Sequence, residues 1–198
     1  METTRLVIVA VGGQGNLLAT KVLGEAALLS NVPVNMSEIH GMAQRGGVVE
    51  SSLVFGDARS TIISDGEADL LVGFEPSETL RALKRCNANS VVVTNTSPVP
   101  PYTVAIGSGV YPDLGELQEI IKAKTSRLVS LDASNLAEEA GNVMAVNMVL
   151  LGALIQTAIL PISVENVRTA IQTRTKKAFL DINLAAFELG YSVASQSE

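Results

Sequence analysis

Residues Arg5–Val11 form an unbroken apolar run rich in β-branched side chains, stopped by Gly12 and Gly13. A short run with no polar alternation predicts a central strand buried on both faces. After Gly15 the period changes. Leu17, Leu18, Val22, Leu23, Ala26, Ala27 and Leu29 recur near 3.6-residue spacing, which predicts a helix. Asn31-Val32-Pro33 ends it, because the residue before a proline is driven out of the α region. Val34–Ile39 then alternates apolar and polar as a second strand would, so this stretch reads as a strand, glycine loop, helix and strand with a right-handed crossover.

The pattern continues in the same style. Val48–Phe55 predicts a third strand closed by a turn at Gly56-Asp57, and Asp69–Phe74 a short buried strand. Pro76 suits the first turn of a helix running to about Arg85, with Glu75 and Glu78 near its start. Ser90–Thr94 is another strand, and Pro98, Pro100 and Pro101 force an irregular connection after it. Leu114–Lys124 has the period of an amphipathic helix, Arg127–Leu131 that of a last strand, and Asp132 is placed to cap the next helix. From about residue 133 every periodic segment is helical: Asn142–Leu160, Ser163–Ile171 behind a Ser163 cap, and Lys176–Leu189 ended by Gly190. At 198 residues this predicts a single domain spanning 1–198, in the α/β class. Its Rossmann-like, mostly parallel sheet is flanked by helices and carries a helical C-terminal layer.

Composition narrows the function. Hydrophobic residues are 47% of the chain, charged residues 17% and aromatics 4%, with no Trp, so the core is built from Ala, Val, Ile and Leu. Fourteen Lys and Arg against 20 Asp and Glu leave a net charge of −6, which argues against a nucleic-acid partner. So low a charged fraction implies that part of the surface is covered by a partner protein. Cys86 and His40 are the sole cysteine and histidine. A disulfide framework, a cysteine zinc site, a self-contained iron–sulfur cluster and a His-rich metal site are therefore excluded, and no metal is expected. The first apolar run is too short for a signal peptide. Val143–Leu160 falls short of the about 20 residues that cross a bilayer and is interrupted by Asn147, Gly152, Gln156 and Thr157. It is read as a buried helix of a cytoplasmic protein with no membrane contact.

Two loops can carry chemistry. In Ala10-Val11-Gly12-Gly13-Gln14-Gly15 the glycines let backbone N–H groups at a helix start face an anion. Gly12 and Gly15 match two glycines of the dinucleotide fingerprint and Glu38 stands where a ribose-binding acid would, but Ala10 occupies the first glycine position. A bare turn, an anion or partner contact, and a dinucleotide site all remain open. The second loop, Glu38-Ile39-His40-Gly41-Met42-Ala43-Gln44-Arg45-Gly46-Gly47, follows a strand, where α/β ligand crevices form. Arg45 offers a bidentate cation for a carboxylate or phosphate, or an ion pair with Glu38 or Glu50. His40 is a proton carrier or a loop hydrogen bonder. Cys86, at the end of a helix, reads as a small buried residue. Asp65-Gly66-Glu67-Ala68-Asp69 reads as turn chemistry, and Asn147 needs a partner, in the glycine loop or another subunit.

Together, Val11-Gly12-Gly13-Gln14-Gly15 after the first strand and His40-Gly41-Met42-Ala43-Gln44-Arg45-Gly46-Gly47 after the second resemble the gamma-type subunit of 2-oxoacid:ferredoxin oxidoreductases. The likeness spans about Arg5–Gly190 and is greatest toward the small subunits of the indolepyruvate branch. It implies oxidative decarboxylation of a 2-oxoacid, on a complex, to an acyl-coenzyme A. Thiamine diphosphate and iron–sulfur clusters would sit on a large partner subunit, with ferredoxin reached only indirectly and no cofactor in this chain. The chain would be inactive alone. Gly12, Gly13, Gln14, Gly15, His40, Gln44, Arg45, Gly46 and Gly47 would face the partner's active site, with coenzyme A phosphates or the partner's surface alone as the two options. A stand-alone dinucleotide-binding protein and a ligand-free scaffold are the competing readings.

Overall fold

The computed structural model describes residues 2–41, 47–100, 104 and 106–195. Six strands form one sheet: β1 (Thr4–Val11), β2 (Val34–His40), β3 (Val48–Phe55), β4 (Ala68–Gly73), β5 (Cys86–Asn95) and β6 (Arg127–Leu131). The helices are α1 (Asn16–Leu29), α2 (Pro76–Ala82), α3 (Leu114–Lys124), α4 (Ala133–Glu139), α5 (Val146–Gln156), α6 (Val164–Arg174) and α7 (Leu180–Ser195). The sheet order is β2-β3-β1-β4-β5-β6. β1, β4, β5 and β6 pair in parallel, while β3 runs antiparallel to both β1 and β2. Five strands therefore share one direction. The mostly parallel α/β expectation holds, with a mixed edge.

That edge changes one expectation. β2 does not lie beside β1, because β3 is inserted between them, pairing Val11 with Val48 on one side and Val49 with His40 on the other. At the usual strand spacing this puts β2 about 9–10 Å from β1. Glu38 is thus one strand removed from the place a ribose-binding acid occupies, and the dinucleotide geometry read from the spacing is not formed.

Side-chain alternation splits the apolar residues of β1 between two cores. Leu6, Ile8 and Ala10 join the larger one, built with α1 and the C-terminal helices, while Val7 and Val9 join the smaller one with Leu117 and Ile121 of α3. The helical C-terminal layer is thus one side of a sandwich. Every residue of α5 from Val146 to Ile155 is buried, and among the described residues no helix is long and apolar enough to cross a membrane.

Helix ends differ from the sequence reading in several places, two of them with clear causes. The helix expected over Asn142–Leu160 is a 3-10 turn at Val143–Ala145 followed by α5, which stops at Gln156. Ala158 adopts φ 56°, and Pro161 bars further α geometry just beyond. Gly190, expected as a stop, lies inside α7. A Cβ there would come within 1.9 Å of the Val149 carbonyl oxygen, and one on Gly152 within 2.0 Å of that of Phe187. These glycines let α5 and α7 touch backbone to backbone. Cys86 opens β5 instead of ending a helix, and burial pushes its thiol up to about 11.

Candidate functional site at the carboxyl edge of the sheet

Because β1, β2, β4, β5 and β6 point the same way, the loops that follow them gather along one edge, where ligand crevices of α/β sheets form. The two motif loops are joined there. The Gly12 N–H donates to the Gly47 carbonyl at 2.8 Å, and the Gly41 N–H closes the β2–β3 hairpin on Val48 at 2.8 Å. Gln14 folds back over its own loop: its Oε1 accepts from the Val11 N–H at 2.7 Å, and its Nε2 donates to the Phe74 carbonyl at 3.2 Å. Gln14 is therefore a brace between the loops after β1 and β4.

Gly13 and Gly15 have φ of 103° and 83°, conformations that disfavour other residues. They differ in surroundings. Among the described residues a Cβ on Gly13 would meet nothing within 4 Å, whereas one on Gly15 would lie 2.6 Å from Asn147 Nδ2. Asn147 donates to the Gly15 carbonyl at 3.2 Å, so its partner is the glycine loop. Among the described residues no acceptor takes the N–H of Gly13, Gly15, Asn16 or Leu17. Those groups, with open space over Gly13, can receive an anion at the positive end of α1.

His40 is exposed, with its Nε2 2.7 Å from Glu38 Oε1, and that pair is ionic only when the imidazole is protonated. Among the described residues Glu38 Oε1 has no aligned hydrogen-bond donor, so the contact with His40 is a close approach and not a hydrogen bond. Glu50 is engaged by Arg85 at 3.3 Å. Gln44, Arg45 and Gly46 lie outside the described residues. Of the carboxylates at Asp65–Asp69, Glu67 accepts from the Ser64 N–H and Asp69 from that of Arg5, while Asp65 pairs with Arg85 at 3.3 Å. Among the described residues no group of three His, Cys, Asp or Glu side chains could hold a metal.

Sequence reasoning missed the residue that organises the neighbouring loops. Glu75 is fully buried immediately beyond β4. One of its oxygens accepts from Ser77 Oγ at 2.7 Å and from the Glu78 N–H at 3.0 Å; the other accepts from the Val99 N–H at 3.3 Å and from the Tyr111 hydroxyl. Burial and the Glu75 carboxylate both push the Tyr111 hydroxyl above its ordinary pKa, so it remains a donor at neutral pH. Asn95, at the end of β5, ties the Phe74 and Ser97 carbonyls and Ser134 Oγ with its amide while accepting from Ala133 N–H. The only sequence signal was Glu75-Pro76, which reads as an ordinary helix start. Tyr111 is thirty-six residues away and carries no local pattern.

With this geometry in view, likeness to known proteins becomes informative. An indolepyruvate oxidoreductase subunit, IorB, from Archaeoglobus fulgidus is 39% identical over 189 residues, 96% of this chain and 94% of that protein. Its counterpart from Pyrococcus horikoshii is 39% identical over 198 residues, 99% of this chain and 98% of that one. The crystal structure of a keto/oxoacid ferredoxin oxidoreductase gamma subunit from Geobacter sulfurreducens superposes with a TM-score of 0.71 at 21% identity, over 98% of this chain and 99% of that one, and so shares the fold. The family described as pyruvate ferredoxin/flavodoxin oxidoreductase matches residues 5–193, and this chain belongs to it.

Proposed function

We propose that this chain is the small, non-redox subunit of an indolepyruvate (aryl-pyruvate):ferredoxin oxidoreductase, a cytoplasmic complex that oxidatively decarboxylates 2-oxoacids to acyl-coenzyme A. Its near-full-length likeness to indolepyruvate oxidoreductase subunits carries this reading. A single cysteine cannot supply the thiolates of an iron–sulfur cluster, so on this reading the clusters belong to the large partner subunit, together with the thiamine diphosphate that the family resemblance implies. Bound there, they supply the decarboxylation chemistry and the electron path to ferredoxin.

This chain's share is the joined pair of loops. The N–H groups at the start of α1 that have no acceptor among the described residues, and the space those residues leave over Gly13, suit an anion, either a coenzyme A phosphate or a partner carboxylate. Arg45 adds a fixed cation to the second loop, with Glu38 and Glu50 already beside His40 and Arg85. His40, Gln44, Gly46 and Gly47 complete the face turned to the partner.

The test is the complex assembled from this chain and the large subunit, assayed with indolepyruvate, phenylpyruvate, pyruvate and 2-oxoglutarate in the presence of coenzyme A and ferredoxin. Indolepyruvate is expected to give the highest kcat/KM, with no turnover by the chain alone; a preference for pyruvate overturns the branch. In the same assay Arg45→Ala is expected to lower kcat/KM roughly ten- to a hundredfold, the loss of one charge-assisted hydrogen bond at about 1.5–3 kcal/mol. Arg45→Lys should recover only part of it, and thermal stability should hold. Unchanged kinetics in a destabilised protein would remove Arg45 from the site.

A further inference from the structure

Beside the glycine loop, on the helical face, a groove of about 440 Å³ opens between the start of α5, the end of α6 and the start of α7. Leu18, Met144, Phe179 and Ile182 line it, and so does Asn147, whose amide holds the Gly15 carbonyl. The groove is therefore continuous with the edge where the two motif loops meet. Its walls are mainly apolar, yet Met144 is 63% and Phe179 45% exposed. The neighbouring Val143 is 47% exposed. Large apolar side chains clustered at one opening are costly in water and mark a surface that something covers.

The rim states what kind of surface. Arg174 and Lys176 line the groove and Lys177 follows directly in the chain, so three of the 14 cations fall within four residues of a protein whose net charge is −6. Arg174 is held by Glu25, its Nε donating to that carboxylate at 3.0 Å. Lys176 and Lys177 have no ion pair among the described residues, and Asp181 is the one acidic residue between Lys177 and Phe187 in sequence. Unpaired cations beside exposed apolar side chains complement a segment that brings an apolar anchor and carboxylates together.

We propose that this groove is a docking site for an acidic, apolar-anchored segment of the large partner subunit, the anchor seated among Leu18, Met144, Phe179 and Ile182 and its carboxylates against Lys176 and Lys177. The inference rests on the subunit assignment above and adds the surface and chemistry by which that subunit is held. A segment fixed here would press against Asn147 and so hold the glycine loop beside the partner's active site.

The test is the affinity of the full chain for the purified large subunit, measured by calorimetry at about 50 and 300 mM salt. Met144→Asp and Phe179→Asp each place a charge where an anchor would be buried, and each is expected to raise Kd by about a hundredfold. Lys176→Glu with Lys177→Glu should raise Kd about tenfold at low salt, and much less at high salt. Circular dichroism and Tm should be unchanged, since all four positions are exposed. Unaltered Kd in these variants, with the unsubstituted chain still binding, overturns the docking site and leaves the subunit assignment intact. Failure of the unsubstituted chain to bind overturns both. Saturable binding of indolepyruvate in the groove of the isolated chain, with Kd for the large subunit unaffected by the variants, would make it a small-molecule site and also overturn the proposal.

Discussion

Gly152→Ala is expected to lower Tm by roughly 6–12 °C, the equivalent of about 3 kcal/mol for a domain of this size. The added methyl would lie 2.0 Å from the Phe187 carbonyl oxygen and 2.7 Å from the Tyr191 nitrogen, both backbone atoms of α7. No side-chain rotamer can relieve a clash with main chain, so the two helices must separate. Separation also uncouples the side chains around them, since Phe187, Leu150 and Leu154 are all fully buried in the same core. Gly190→Ala should behave alike, because its Cβ meets the Val149 carbonyl from the other helix at 1.9 Å. The two substitutions open one contact, so the double variant should lose less than the sum of the singles. A Gly152→Ala protein that melts within about 2 °C of the parent by calorimetry would show that α5 and α7 are not in backbone contact.

Glu75→Ala is expected to cost about 3 kcal/mol or more, read as a lower midpoint in urea denaturation. Two effects add. The N-cap of α2 is lost at about 1 kcal/mol, and donors left without an acceptor cost about 1–3 kcal/mol each. The donors concerned, besides the Glu78 N–H already counted as the cap, are the Tyr111 and Ser77 hydroxyls and the Val99 N–H. Tyr111→Phe removes one hydroxyl and leaves the others in place, so its cost should be nearer 1 kcal/mol. The loss has a functional side as well. Glu75 ties residue 99 and Tyr111 to the start of α2, next to the Phe74 carbonyl that Gln14 holds. The assembled complex should therefore lose turnover even at temperatures where the chain stays folded. A Glu75→Ala variant as stable as the parent would mean that solvent or another donor set replaces the carboxylate.

Glu75 marks where local sequence patterns stop being informative. A helix cap is legible because donor and acceptor lie three residues apart, as in Asp113 with Glu116, Asp132 with Asn135, and Ser163 with Asn166. The first and third of these head helices that begin where periodicity placed them, at Leu114 and Val164. Glu75 performs the same local task for Glu78, and that half was visible as an acidic residue before Pro76. Its other half, with Val99 and Tyr111, depends on where β5 and the connection after it lie in space. Gly190 shows the same limit in reverse. A glycine after an apolar helix is locally a stop signal, and only the approach of α5 makes it an interior necessity. Asn147 fell between these cases: a buried amide in an apolar helix announces that it needs a partner, but the partner lay 132 residues away.

The chain alone determined which segments are strands and which are helices, because periods of two and 3.6 residues are local properties of side-chain direction. Its one cysteine and one histidine carried the expectation that any iron–sulfur cluster lies on a partner, and its two glycine-rich loops stood out as candidate sites. Tertiary structure decided the rest. Strand order is chosen by burial and hydrogen bonding across the whole sheet, and it inserted β3 between β1 and β2, removing Glu38 from the glycine loop while joining Gly12 to Gly47. The approach of α5 and α7, the Glu75 junction and the apolar groove with its basic rim are likewise meetings of residues far apart in sequence. No local pattern encodes them, since each arises only when the packed core brings its parts together.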